Sequence, residues 1–157
     1  RLVRHITSNT GQQQADHEDH RQLLALDLSR KWYTEVKPSL MKPLVWIGSS
    51  KKDLLDLPVP VRKLVGHALD LAQRGERHET TKVLSGFGSA GVLEIVEDDS
   101  GGTYRLVYTV RFPEAVFVLH AFQKKSTRRI ATPKPDMEII RHRLKIAAIM
   151  AQELRNE

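Results

Sequence analysis

The segment "GVLEIVEDDSGGTYRLVYTVRFPEAVFVLHAFQKKS", residues 91–126, constrains the fold more than any other part of the chain. Within it "TYRLVYTVRF" alternates strictly, the signature of a strand with two unlike faces. Tyr104, Leu106, Tyr108 and Val110 share one face; Thr103, Arg105, Val107, Thr109 and Arg111 share the other. "SGG" at 100–102 is a hairpin signal, and Pro113 and Glu114 turn the chain a second time. "GVLEIVEDD" precedes this strand, with Leu93 and Ile95 on one face. "AVFVLHAFQ" follows it, apolar on both faces as a central strand requires. Three strands joined by short turns predict an antiparallel meander.

Helices flank it. "SSKKDLLDL" at 49–57 begins with a capping serine and reads as a short helix. Pro58 and Pro60 end that helix and open the next. There Val61, Leu64, Val65, Ala68, Leu69 and Ala72 recur at helical spacing until Gly75, which predicts a helix over 60–74. The last helix begins near "ATPKPDMEII", with Thr132 as cap, Pro133 at the first helical position, and Asp136 and Glu138 at the positive end of the dipole. Its buried stripe is read as Ile140, Leu144, Ala147, Ala148 and Ala151, with Arg141, Arg143 and Lys145 facing out. "PLVWIG" at 43–48 is a short strand ahead of all of these. The order is β-α-α-β-β-β-α, an α+β fold with an antiparallel sheet, two N-terminal helices and one C-terminal helix. Gly86, Gly88 and Gly91 form a loop without the GK[ST] ending of a phosphate-binding loop.

Residues 1–40 have a different character. Residues 1–14 lack periodicity, and 15–31 carry only a short helical pattern in which His17 and His20 read as solvent-facing. The first residue is Arg and the patterned elements start at Met41. The expectation is therefore an N-terminal extension over 1–40 and a compact domain over 41–157. The net charge of +6 belongs mainly to that domain, where nineteen Lys/Arg stand against fourteen Asp/Glu. A basic excess favours an anionic partner, nucleic acid or an acidic protein. There is no cysteine, which excludes disulfides, thiolate metal sites and cysteine nucleophiles. No membrane span or secretory signal is visible, so a cytoplasmic location is expected.

The segments "GVLEIVEDDSGGTYRLVYTVRF", "VFVLHAFQKKS" and "IATPKPDMEIIRHRL" together resemble the phage-derived Gp49-like, HigB-like branch of the RelE/ParE toxin superfamily. The likeness spans roughly residues 41–149. It implies the toxin of a type II toxin–antitoxin pair, a metal-independent mRNA endonuclease acting on translating ribosomes to arrest growth. The implied partners are mRNA, the ribosome and a cognate helix-turn-helix antitoxin, with operator DNA reached only through that antitoxin. No cofactor, metal or membrane is implied. ParE-like relatives on the same fold inhibit DNA gyrase, and an inactive antitoxin-binding domain is the remaining alternative.

A metal-independent ribonuclease needs a base for the 2′-OH, cations for charge developing on the phosphate, and an acid for the leaving oxygen. Arg105, mid-strand on the polar face, is the leading phosphate-binding candidate, and the family pattern is also basic there. Its competing reading is an ion pair with Glu94 on the neighbouring strand. Lys124 and Lys125 alternate to opposite faces, so one of them joins Arg105. Arg105→Ala, and Lys124→Ala together with Lys125→Ala, are expected to relieve growth arrest and leave stability nearly unchanged. His120 is the candidate acid or base, although strict alternation puts it beside apolar Val118 and Phe122 and favours a buried, hydrogen-bonded imidazole. Lys82, basic in many relatives, and Arg128 and Arg129 are candidate RNA contacts. Where many relatives carry an arginine in the strand before the hairpin, this chain has Val96.

Overall fold

In a computed structural model of the protein, the described residues are 41–88, 91–124 and 131–157. Their chain order is β1 (Leu44–Trp46), α1 (Ser50–Leu55), α2 (Val59–Gln73), β2 (Thr81–Val83), β3 (Val92–Asp99), β4 (Gly102–Thr109), β5 (Val116–Lys124) and α3 (Lys134–Asn156). The five strands form one sheet in the order β1-β5-β4-β3-β2. The meander β3-β4-β5 is antiparallel as its turns require, and β2 adds antiparallel to β3. β1 lies parallel to β5, so the sheet is mostly, not wholly, antiparallel. The fold is α+β and compatible with a RelE-like architecture. Among the described residues no helix is long and apolar enough to cross a membrane.

The two faces of the sheet bury two separate cores. One holds Leu93, Ile95, Tyr104, Leu106 and Tyr108 against Val61, Val65, Ala68, Leu69 and Ala72 of α2. The other holds Val92, Val107, Phe117 and Leu119 against Ile140, Ala147 and Ala151 of α3. The alternation read in "TYRLVYTVRF" thus separates two apolar layers, because each face is covered by a helix. Only towards the start of α3 does the second face turn polar.

The β3–β4 hairpin closes through Ser100 and Gly101, with Asp99 opposite Gly102. A side chain at Gly101 would come within 2.5 Å of the Tyr104 hydroxyl, and Gly102 sits at φ 131°. Glycine is therefore favoured at 102 by the backbone and at 101 by the close approach of Tyr104.

Four features differ from the sequence reading. β2 is an additional strand, three residues long. In β5 the register slips so that Val107 faces His120 while Tyr108 faces Val118, which leaves Leu119 as an extra residue. Leu119 and His120, adjacent in sequence, consequently both lie on the face that α3 covers, while Val118 belongs to the other core. His120 is separated from Val118 and stays on the Phe122 face, stacked on that ring at 4.9 Å. At α3 the N-cap is Pro133, not Thr132. Finally, Ala148 is exposed and Arg143 is turned inward.

Candidate functional site

Residues paired across an antiparallel sheet share a face. Lys82 pairs with Glu94, Glu94 with Val107, and Val107 with His120. The adjoining row runs Val96, Arg105, Phe122, and the next runs Asp98, Thr103, Lys124. Lys82, Arg105, His120 and Lys124 therefore all belong to the face that α3 covers. The last three gather at the end where α3 begins. Lys124 is half-buried and Lys82 is exposed on β2, at the edge of the sheet. Lys125, Arg128 and Arg129 lie outside the described residues.

Arg105 is only 6% exposed. Its Nη1 donates to Glu94 Oε2 at 2.9 Å and to Thr132 Oγ1 at 3.0 Å. The ion pair with Glu94 is thus formed, and the threonine read as a helix cap instead accepts a hydrogen bond from the arginine. This corrects the stability expectation for Arg105→Ala. Removing one partner of a buried pair strands the other charge, a loss of about 3–5 kcal/mol. Val96, opposite Arg105, adds no second cation there.

His120 is 7% exposed. Its Nε2 lies 2.8 Å from Asp136 Oδ1, and its Nδ1 lies 3.5 Å from Arg143 Nη1. A guanidinium only donates, so Nδ1 is the acceptor. The neutral imidazole then carries its proton on Nε2 and donates it to the Asp136 carboxylate. Arg143 Nη1 also donates to the Leu119 carbonyl at 2.8 Å, and its Nη2 donates to Ser49 Oγ at 2.8 Å. Ser49 in turn donates to Asp53 at 2.7 Å. A polar chain thus runs Asp53–Ser49–Arg143–His120–Asp136 and ties α1, β5 and α3 together.

The bulge at Leu119 supplies this chain with both of its contacts on β5. It frees the Leu119 carbonyl for Arg143 and keeps His120 toward α3. Asp136 was legible in the sequence only as a first-turn acid, and Arg143 as a solvent-facing cation. Each finds its partner across a distance of sixteen or more residues, which no local pattern encodes.

Beside Asp136 a cleft opens, lined by Phe122, Gln123, Pro133, Pro135 and Asp136. It joins the end of β5 to the first turn of α3. Among the described residues the site is therefore a half-buried Lys124 beside a buried, hydrogen-bonded framework, with an apolar-walled cleft at its edge and Lys82 apart at the sheet edge.

A family model for phage-derived Gp49-like proteins matches residues 52–145, from α1 into α3, and so includes every residue of this site except Ser49. No curated protein matches the chain.

Proposed function

Because the chain belongs to the Gp49-like family of phage-derived proteins, a family associated with the toxins of toxin–antitoxin pairs, we propose that it is a cytoplasmic toxin that cleaves mRNA on translating ribosomes. The observation that carries this reading is the register that puts Lys82, Arg105, His120 and Lys124 on one face of the sheet. Lys82 and Lys124 on this face, with Arg105 paired to Glu94 between them, favour an anionic ligand such as a phosphate backbone.

The reaction is attack of the RNA 2′-oxygen on the adjacent phosphorus with departure of the 5′-oxygen. A 2′,3′-cyclic phosphate and a free 5′-hydroxyl result. The proton lost by the 2′-hydroxyl is balanced by one gained by the leaving oxygen. Lys124 and Lys125 are the cations assigned to the charge that develops on the phosphate. Arg105, its charge balanced by Glu94, ties β4 to the segment before α3 through Thr132. His120, with its Nε2 committed to Asp136, serves as a positioning residue, not as the group that touches RNA. Lys82, on the same face at the sheet edge, is a candidate RNA contact, as Arg128 and Arg129 are by sequence. A cognate helix-turn-helix antitoxin restrains the toxin by covering this face with an acidic segment, and it alone carries the pair to operator DNA.

The test is cleavage of a defined mRNA on programmed ribosomes by the purified protein, beside a gyrase supercoiling assay. Cleavage at discrete positions supports the reading. Inhibition of supercoiling without cleavage replaces it with the ParE-like activity, and failure of both assays leaves an antitoxin-binding domain.

A further inference from the structure

We propose that the cleft between the end of β5 and the first turn of α3 binds one nucleobase and selects bases that carry an exocyclic amino group: adenine, guanine and cytosine over uracil. The inference rests on the RNA-cleavage reading and names the substrate feature that the site takes.

The cleft encloses about 490 Å³, within the size range of small-ligand sites. Its walls are flat and apolar: the Phe122 ring, Pro133 and Pro135. Phe122 is also stiffened from behind. The His120 ring stacks on it with centroids 4.9 Å apart and planes 21° from parallel. That imidazole is itself fixed between Asp136 and Arg143. A base laid against Phe122 in the cleft would use the recurring mode by which proteins hold unpaired bases.

The polar groups of the cleft decide what such a base must present. Asp136 accepts the His120 proton on Oδ1, and no other hydrogen bond to this carboxylate is made among the described residues. Gln123 pairs with Tyr104 and its side chain turns to the other face, where its amide nitrogen donates to the Gly101 carbonyl at 2.7 Å. The Asp136 carboxylate is therefore the acceptor the cleft offers. Amino-bearing bases supply a matching donor, whereas the one ring donor of uracil, N3–H, is flanked by two carbonyl oxygens that a carboxylate repels. A phosphate is a poor occupant despite the nearby helix start, because the Asp136 carboxylate already holds negative charge there.

The experiment measures binding of 2′-O-methyl tetranucleotides, which lack the attacking hydroxyl, to the full chain by calorimetry. Oligomers of A, G, C and U are compared, and inosine and nebularine replace G and A to delete the amino group alone. The expected result is binding of A, G and C about ten- to a hundred-fold tighter than U, the range for a hydrogen bond to a charged group. Deleting the amino group should abolish most of that margin. Asp136→Asn keeps an acceptor for His120 and should erase the preference without loss of thermal stability. Phe122→Leu should weaken all four oligomers alike and leave their ranking intact.

Equal affinity for all four bases, no measurable binding, or a preference that survives Asp136→Asn would each overturn the proposal. So would an Asp136→Asn variant with unchanged binding that cleaves every sequence more slowly, which would mark Asp136 as the reacting base. The assay does not require cleavage. Intact base selectivity in a protein that cuts no mRNA would refute the nuclease reading and leave the cleft assignment standing.

Discussion

At the scale of single residues, Arg105 and Lys124 share a face but differ in what holds them. Arg105 is buried and bound to Glu94 and Thr132. Arg105→Ala is expected to lower unfolding free energy by about 3–5 kcal/mol, measured by urea denaturation. Replacing Arg105 and Glu94 together with apolar residues of similar size should recover much of that loss. If Arg105→Ala is as stable as the parent, the pair contributes nothing to the fold. Loss of toxicity in Arg105→Ala alone is therefore ambiguous between chemistry and folding. Lys124 is half-buried at the end of its strand and makes no side-chain hydrogen bond among the described residues. Its removal should leave the melting temperature unchanged. Strand alternation, a local property, put Lys124 and Lys125 on opposite faces but left open which of them joins Arg105; the register between β4 and β5 puts Lys124 on that face. Glu94, on the neighbouring strand, was legible as a partner of Arg105; Thr132 and the partners of His120 and Arg143 were not, since they are reached only after the chain has turned back over the sheet. Thr132 fits a helix-cap pattern in sequence, yet its hydroxyl is taken by a guanidinium twenty-seven residues away.

At the scale of elements, α3 is fastened at both ends. Near its start, Asp136 holds His120 and Arg143 reaches β5 and Ser49. At its far end, Arg155 Nε donates to Glu114 Oε1 at 2.6 Å, in the turn between β4 and β5. That hydrogen bond holds the Glu114 carboxyl below the ordinary carboxylate range. A carboxyl that binds its proton less readily when folded stabilises the fold above its unfolded pKa and loses that contribution as pH falls through its folded value. The stability difference between the parent and Glu114→Gln should thus be present at neutral pH and vanish in acid, below about pH 4. Urea midpoints measured across that range test it; a difference independent of pH would contradict the assignment. The helices and the meander were legible because their apolar periods are long and regular. β2 escaped because Thr81–Val83 is three residues long, too short for alternation to register. The parallel pairing of β1 with β5 escaped for another reason: it brings together segments seventy-two residues apart.

At the scale of the whole molecule, residues 41–157 form a compact unit with a sheet covered on both faces. A chain trimmed to these residues is expected to unfold in one cooperative transition, followed by circular dichroism. Failure to fold would place part of the core in residues 1–40. The same unit carries most of the positive charge, so binding of an acidic antitoxin segment should weaken as salt rises. An antitoxin seated wholly on the α2 side would rule out occlusion of the cationic face. The central claim is that this face cleaves mRNA, and single-turnover cleavage on programmed ribosomes tests it most directly. The wild-type chain should cut, and Lys124→Ala with Lys125→Ala should cut more slowly by about two to three orders of magnitude at an unchanged melting temperature. Full cleavage by that folded double variant, or no cleavage by the wild type, would contradict it.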